Sequence, residues 1–304
     1  MSRTATGSVL AESLKDWRPG SAEATRGVDP WSAEAFCDLI GVRSRPPLGP
    51  GDPLPPMWHW FILLDHPAQA ELGPDGHPAN GAFLPPIPGR RRMFAGGRLR
   101  MDAPILIGAE LSSRSSVAGV SVKSGRSGDL AFVTVRHELI VDGGTVGVEE
   151  QDVVYRSEPD GTAPRAVPRP ETGVPEPAGE LRHELATDPV LQFRFSALTY
   201  NGHRIHYDRP YATQVEGYPD LVVHGPLLAL LALELPRVYA PDRTVRAFDY
   251  RLVRPAFAPS RIVSMGSGVR TGGSTVEVTV AAEGAAPSLT AQIGLGWASG
   301  SRNP

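Results

Sequence analysis

Hydrophobic residues alternate with polar ones through four stretches in each half of the chain. The clearest stretch covers residues 131–141, where every second position from Ala131 onward is apolar or histidine. A two-residue period places one face of a strand on a core and the other toward solvent. The pattern therefore predicts two antiparallel meanders, with strands at residues 98–104, 110–123, 131–141 and 145–156, and at residues 244–254, 261–270, 274–282 and 288–298.

A helix is predicted ahead of each meander. The first begins after Asp29-Pro30 and ends before Gly41, because proline suits a first helical turn and glycine terminates a last one. The second covers residues 225–235 and is apolar on nearly all sides, so it must be buried on most of them. A shorter apolar run at residues 57–64 has no clear period, and its flanking prolines favour a short helix.

Helix followed by four strands thus occurs twice, which predicts an α+β protein with antiparallel sheet wrapped around an apolar helix. We expect a loose leader at residues 1–28, an N-terminal domain at 29–156, an extended linker at 157–189 and a C-terminal domain at 190–304. Seven prolines between positions 159 and 189 define the linker. The irregular segment at 67–92 is typical of a functional cover over a binding site.

Composition narrows the class of protein. The apolar share is 41% and the formal net charge is −3, which favours neither nucleic acid nor an anionic membrane as a partner. Cys37 is the only cysteine, so no internal disulfide can form. The N-terminus lacks a signal-peptide pattern, and no apolar run approaches the ~20 residues that span a bilayer. We expect a cytoplasmic protein.

A polar cluster precedes the apolar helix of the second half. Asn201, His203, His206 and Asp208 fall within eight residues, and His-Gly-Pro opens the helix at Gly225. A histidine that titrates near neutrality suits general acid–base chemistry, and the free N–H groups of a buried helix start suit a developing oxyanion. The cluster is therefore the candidate active site.

The chain resembles the MaoC-like, R-specific enoyl-CoA hydratases, in the two-domain branch of mesaconyl-C4-CoA hydratases and type 2 hydroxyacyl-thioester dehydratases. The resemblance covers about residues 30–300. It rests on PPMWHWFILL and RRMFAGGRLRMDAPILIGAEL in the first half, and on FSALTYNGHRIHYDRPYA and VVHGPLLALL in the second. It implies a double hot-dog fold in which the first half shapes the acyl pocket.

The family's hydratase motif, Asp-x-Asn-Pro-x-His, aligns with residues 201–206. The resemblance places His206 on the catalytic histidine and Gly225 on the glycine whose N–H faces the thioester oxygen. Asn201 stands where the family has its catalytic aspartate, so the carboxylate is absent here. We expect His206 to act as general base with Asn201 positioning the water; the alternative is that a nearby group, His203 or Asp208, assists with one proton step.

The resemblance implies a lyase that adds water to an enoyl thioester, or removes it, without a cofactor other than the CoA or phosphopantetheine arm of the substrate. Mesaconyl-C4-CoA (3-methylfumaryl-CoA) is the expected substrate, and a 3-hydroxyacyl-CoA or acyl-carrier-protein dehydratase is the alternative. The absent carboxylate favours a further alternative, a thioester-binding hot-dog subunit without turnover, and a thioesterase is a third. Because a double hot dog already resembles a dimer within one chain, we expect a monomer-like unit or a homodimer.

Other residues complete the predicted site. Arg90 to Arg92 are candidates for meeting an acyl carboxylate, and Arg254 is a candidate for the pocket mouth. A metal site built from His203 and His206 with His224 or Asp208 is a weaker alternative, so no metal is expected. The predicted substrate-binding residues, for several of which a structural role is the alternative, are Tyr200, His224, Trp58, Trp60, Arg246 and Arg251.

Overall fold

The computed structural model describes residues 9–42, 48–125, 128–157, 166–174, 179–268 and 273–297. The described residues form two halves that share one ten-stranded sheet, and all the strand pairs in it are antiparallel. The start of the predicted leader and much of the predicted linker lie outside the described residues, at positions 1–8, 158–165 and 175–178.

All eight predicted strands are present, together with edge strands that the sequence pattern did not predict. The N-terminal half contains α1 (Val9–Leu14), β1 (Ala22–Gly27), α2 (Pro30–Ile40), β2 (Arg90–Met101), β3 (Glu110–Gly125), β4 (Gly128–Val141) and β5 (Gly144–Ser157). The C-terminal half contains β6 (Leu181–Thr187), α3 (Pro189–Leu198), β7 (Leu221–Val222), α4 (Gly225–Tyr239), β8 (Arg243–Leu252), β9 (Phe257–Ala258), β10 (Ser260–Ser267), β11 (Thr275–Ala282) and β12 (Leu289–Trp297).

The sheet order is β1-β3-β4-β5-β2-β8-β12-β11-β10-β6, so the two halves are arranged alike around a central β2–β8 pair. Gly96 lies opposite Arg251 and Gly97 opposite Tyr250 at this seam. A Cβ on Gly96 would lie 2.4 Å from the carbonyl oxygen of Tyr250, so only glycine allows the two backbones to approach this closely. The seam joins the halves into a continuous sheet.

Helix α2 has the predicted bounds, and its caps explain them. The side chain of Asp29 accepts a hydrogen bond from the N–H of Trp31 at 2.6 Å, and Pro30 fills the first turn. Gly41 ends the helix in the left-handed region at φ 72° and donates its N–H to the carbonyl of Cys37. The buried face of α2 includes Phe36, which contacts the rings of Trp58, Phe61 and Phe195. Helix α2 thus packs against α3 and the 3-10 helix Trp58–Phe61.

Helix α4 is the central helix of the C-terminal half. Its residues Leu227 to Pro236 are all buried, as the uniform hydrophobicity predicted. It packs against β6, β8, β10, β11 and β12, so the sheet curves around it. Burying a leucine side chain contributes about 1.5–3 kcal/mol, which makes this helix the main hydrophobic anchor of that half. No helix in the described part of the chain is long and apolar enough to cross a membrane.

Two predicted irregular segments are ordered in part. The prediction of a loose leader is wrong for residues 9–28, where α1 buries Leu10 and Leu14 against β4 and β1 pairs with β3. The prediction of a linker up to residue 189 is wrong for β6, which pairs with β10 and buries Leu181 and Leu185. Both strands are short sheet edges whose pairing partners lie far along the chain, so the local sequence indicates neither.

Candidate active site

A cavity of about 1170 Å³ is lined by both halves of the chain. Its polar wall carries the predicted histidine motif, and its opposite parts are largely aromatic and aliphatic. The cavity is large enough for a drug-sized or acyl-thioester ligand. Its lining includes Trp60, His77, Arg91, Arg92 and Phe94 from the first half and Asn201, His203, His206, Gly225 and Arg254 from the second.

The motif is positioned by a turn that follows α3. Tyr200 adopts a left-handed backbone conformation at φ 49°. Asn201 then accepts a hydrogen bond through Oδ1 from the N–H of His203 at 3.0 Å, which is an Asx turn. A 3-10 helix, Arg204–His206, follows immediately. The asparagine therefore shapes the loop while its side chain also lines the cavity.

His206 is buried, and its hydrogen bonding determines its tautomer. Its Nδ1 lies 2.7 Å from the carbonyl oxygen of Val222. Because a carbonyl oxygen only accepts, Nδ1 carries the proton and Nε2 is the basic nitrogen. Burial lowers the pKa of His206 to about 4, although the bond to Val222 acts in the opposite direction. His206 is thus a neutral base at physiological pH.

His224 packs behind His206. The two rings stack with centroids 3.7 Å apart and an interplanar angle of 18°. His224 Nε2 lies 2.9 Å from Ser196 Oγ, and burial lowers the pKa of His224 well below its ordinary value. The prediction that His224 contacts substrate is wrong, because the ring is fully buried and does not line the cavity. It holds the plane of the His206 ring instead.

Gly225 begins α4 at the cavity wall. The first N–H groups of a helix have no acceptor within the helix, and the helix dipole adds partial positive charge there. A Cβ on Gly225 would lie 2.7 Å from Leu252 Cδ1 and 3.4 Å from Phe94 Cδ1. Glycine therefore leaves room for Leu252 and Phe94 beside the helix start, which lines the cavity where the predicted oxyanion role requires it.

A loop of the first half completes the polar wall, and the sequence analysis did not identify it. His77 lies in the cavity wall, and its Nδ1 is 3.1 Å from Asp75 Oδ2. The loop docks on the motif, since the N–H of Arg204 donates to the carbonyl of Asp75 at 2.9 Å. Between them, Gly76 approaches Gly202 so closely that a Cβ would lie 1.9 Å from its carbonyl oxygen. An Asp-Gly turn inside the predicted cover was the available signal, but it indicates no partner.

Four histidine rings form a row along this wall. The ring of His203 lies 3.9 Å from that of His77 and 5.3 Å from that of His206, which stacks on His224. Burial lowers the pKa of His77 and, together with the charge of His77 and His206, holds the pKa of His203 far below its ordinary value. The row is therefore uncharged at neutral pH, and a hydrogen bond or charge placed beside it is weakly screened.

The predicted metal alternative used a different set of ligands from the one that the fold assembles. His206 Nδ1 is bonded to the carbonyl of Val222 and His224 Nε2 to Ser196, whereas ligand atoms of a different set, Asp75, His77 and His203, lie within 4.8 Å of one another. The rings of His77 and His203 face each other at a tilt of 34°. The lone pair of an imidazole nitrogen lies in the plane of its ring. Because these two rings face each other, their lone pairs do not converge on one point, which favours ring packing over shared coordination of one ion.

Four arginines line the cavity, namely Arg91, Arg92, Arg156 and Arg254. Arg91 forms an ion pair with Glu216 at 2.7 Å and lies over the ring of Tyr218. Arg254 is exposed on the rim. Arg92 is half-buried, and its side chain makes no hydrogen bond or ion pair with any described residue. Arg90 does not line the cavity and donates to the carbonyls of Pro85 and Ala79, each at 2.8 Å.

Several predicted site residues lie elsewhere. Asp208 forms a surface ion pair with Arg204 at 2.8 Å and does not line the cavity, so its predicted assisting role is wrong. Trp58 is buried in the aromatic core, where it contacts Phe36, and is wrong as a substrate contact. Trp60 does line the cavity, and its Nε1 donates to Glu149 at 2.8 Å. Tyr200 lines it too and is exposed.

Two of the predicted substrate-binding residues, the arginines Arg246 and Arg251 of β8, also lie elsewhere. Arg246 donates to the carbonyl of Asp102 at 2.8 Å, and Arg251 lines a separate groove that includes Asp249. Neither lines the histidine cavity, so both predictions are wrong. The error has a physical cause: alternation along a strand indicates two faces, but it does not indicate which face meets a cavity closed by distant loops.

The fold is shared with solved double hot-dog proteins. A MaoC-like dehydratase from Phytophthora capsici superposes with a TM-score of 0.66 over 96% of this chain and 99% of that one, at 15% identity. A protein from Mycobacterium tuberculosis described as a double hot-dog fold gives a TM-score of 0.57 over 93% and 97%, also at 15% identity. The chain is a double hot-dog protein, as expected from the sequence.

Sequence comparison gives the family. The profile of the hydroxyacyl-thioester dehydratase type 2 family matches residues 57–258. A mesaconyl-C(4)-CoA hydratase from Chloroflexus aurantiacus is 44% identical over 246 residues, which are 80% of this chain and 84% of that protein. A mitochondrial hydroxyacyl-thioester dehydratase type 2 from Schizosaccharomyces pombe is 45% identical over 78 residues, 24% of this chain and 26% of that one. The chain belongs to this dehydratase family and is a hydro-lyase.

Proposed function

We propose that the protein hydrates mesaconyl-C4-CoA to citramalyl-CoA. The observation that carries this proposal is the cavity itself, in which a neutral buried histidine, a helix start and an unpaired arginine line one wall region. The similarity to the mesaconyl-C(4)-CoA hydratase of Chloroflexus aurantiacus supports the choice of substrate. Water and protons are the only species exchanged, so we propose a reaction without a cofactor, the CoA being part of the substrate.

The proposed reaction begins with removal of a proton from water. His206 Nε2 accepts that proton while the water oxygen forms a bond to Cβ of the unsaturated thioester. The C=C electron pair moves toward the thioester, and the carbonyl oxygen gains negative charge. The N–H of Gly225, at the positive end of the α4 dipole, stabilises this oxyanion.

The second proton step returns a proton to Cα. His206 now carries the proton on Nε2 and can donate it, which restores the neutral histidine and the thioester carbonyl. Asn201 can hold the water by hydrogen bonding but cannot accept its proton, so a single histidine serves both steps. In the reverse direction the same groups would dehydrate a 3-hydroxyacyl thioester, which is the alternative function.

The test is a direct assay of purified protein with mesaconyl-C4-CoA, crotonyl-CoA and a saturated acyl-CoA, followed by loss of the enoyl absorbance. We expect turnover of mesaconyl-C4-CoA and no release of free thiol from any of them. The substitution His206→Ala should lower kcat by at least about 10²–10⁴-fold while thioester binding is retained. Binding without turnover by the unmodified protein would favour the non-catalytic alternative, and free thiol would favour a thioesterase.

The sequence-based expectations of a cytoplasmic location and a homodimer stay predictions. The dimer can be tested by sedimentation of the purified protein.

A further inference from the structure

An arginine without a partner is the least explained charge in the cavity. Arg92 is half-buried in the wall and its side chain forms no hydrogen bond or ion pair with another described residue, whereas the side chain of its neighbour Arg91 is paired with Glu216. A guanidinium removed from water costs free energy unless an anion compensates it. Its planar array of donors matches a carboxylate or a phosphate.

The fold holds Arg92 near the outer end of the histidine row. Arg90, two residues earlier on β2, donates to the carbonyl of Ala79, so the start of the strand is tied to the loop that carries His77. On the other side, Arg91 ties the strand to Glu216 of the C-terminal half. Arg92 follows both attachments directly on the same strand. Its charge reaches the row, since it lowers the pKa of both His77 and His203.

The positions of the groups define an order along the wall. The helix start at Gly225 follows directly after His224, and the row then continues through His206 and His203 to His77. With the thioester oxygen at Gly225 and the reacting Cβ at His206, a substituent on Cβ extends toward His203 and Arg92. The long pantetheine arm leaves the thioester in the other direction and holds the phosphates of CoA far from this end.

We infer that Arg92 is the specificity residue that binds a carboxylate carried on Cβ of the substrate. The inference rests on the proposed hydratase function, because it uses His206 and Gly225 to orient the thioester. In mesaconyl-C4-CoA the carboxylate is bonded directly to the carbon that water attacks, so its receptor must lie beside the base. Arg92 also neutralises that carboxylate, which reduces its repulsion of the developing oxyanion.

The test uses two substrates with one carbon skeleton. In 3-methylcrotonyl-CoA a methyl group replaces the carboxylate of mesaconyl-C4-CoA. We expect the unmodified protein to have the higher kcat/KM for mesaconyl-C4-CoA. Arg92→Gln should lower kcat/KM for that substrate about 100-fold, as expected for loss of a charge-assisted pair, and should change the value for 3-methylcrotonyl-CoA less than about threefold.

Arg254→Gln is the matched control, because it removes another arginine from the same cavity at its exposed rim. It should weaken the binding of both substrates equally, because it removes an attraction for the CoA phosphates. Calorimetric binding of the two thioesters to His206→Ala protein is a second measurement that does not depend on the folding of Arg92→Gln. We expect it to show tighter binding of the thioester that carries the carboxylate.

The outcomes separate the inference from the function on which it rests. Turnover of neither substrate by the unmodified protein would overturn the hydratase proposal, and with it this inference. Turnover of mesaconyl-C4-CoA with an unchanged substrate ratio in Arg92→Gln would overturn only the inference. An equal decrease of kcat/KM for both substrates in Arg92→Gln would also overturn the inference, because it would assign Arg92 a structural role.

Discussion

Asn201 determines how charge is distributed around the base. It stands where the family has a carboxylate, and its amide both shapes the loop and faces the cavity beside His206. Without that carboxylate, burial dominates and the pKa of His206 falls to about 4. The neutral, basic form of His206 therefore persists to acidic pH, and kcat/KM should stay constant from pH 8 down to about pH 5.

The substitution Asn201→Asp should move the acid limb of the kcat/KM profile to higher pH by about one unit or more. An aspartate can accept the same bond from His203, and its charge favours the imidazolium form of His206, which raises the pKa of the histidine. The profile is measured with mesaconyl-C4-CoA, and Asn201→Ala serves as the uncharged control. Superimposable limbs for the aspartate variant and the unmodified protein would mean that position 201 is not electrostatically coupled to His206.

The sequence predicted some residues of the site and missed others, for a physical reason. His206 and Gly225 belong to a local motif whose spacing is retained, so the sequence indicated both. His77 and Arg92 enter the site only because the first half closes over the second. No local period marks such a contact, which explains why the sequence analysis missed His77 and treated Arg92 as one of three equivalent arginines.

At the scale of elements, the loop that carries Asp75 and His77 depends on one close backbone contact. Gly76 adopts φ 85°, and a Cβ there would lie 1.9 Å from the carbonyl oxygen of Gly202. The substitution Gly76→Ala should displace the loop from the motif, cost about 1–3 kcal/mol of unfolding free energy and lower kcat/KM more than about 10-fold. Denaturant unfolding and steady-state kinetics measure the two effects.

Gly81→Ala is the matched substitution on the same segment. A Cβ on Gly81 would lie 3.2 Å from the end of the Leu84 side chain, which can move, so both unfolding free energy and kcat/KM should remain near those of the unmodified protein. Equal behaviour of the two alanine variants would show that docking of the loop on Gly202 does not support the site.

Elements were predicted well where they are long and buried. The strands of both meanders and the helices α2 and α4 have strong periods or caps, and their existence followed from the sequence. The edge strands β1 and β6 did not, because each depends on a partner strand far away in the chain and carries few buried residues of its own. Edge pairing is a tertiary property, so composition alone assigned these residues to a leader and a linker.

At the scale of the whole molecule, the fold keeps many histidines uncharged. Burial lowers the pKa of six of the eight histidines, namely His77, His137, His183, His203, His206 and His224. The unfolded chain binds protons at these sites near pH 6.5, whereas the folded chain binds them only at lower pH. The unfolding free energy should therefore be constant above about pH 7 and decline as the pH falls from about 6.5 toward 4.

The decline can be assigned to individual histidines with urea unfolding at pH 8, 6.5 and 5.5. A single fully titrating group changes the slope by at most about 1.4 kcal/mol per pH unit. His183 on β6 does not line the cavity, and Glu184, Glu234 and Arg237 are its charged neighbours. His183→Gln should flatten the decline by part of that amount without changing kcat. A stability that stayed constant from pH 8 to pH 5 would contradict the whole account, because it would mean that folding does not hold these histidines neutral.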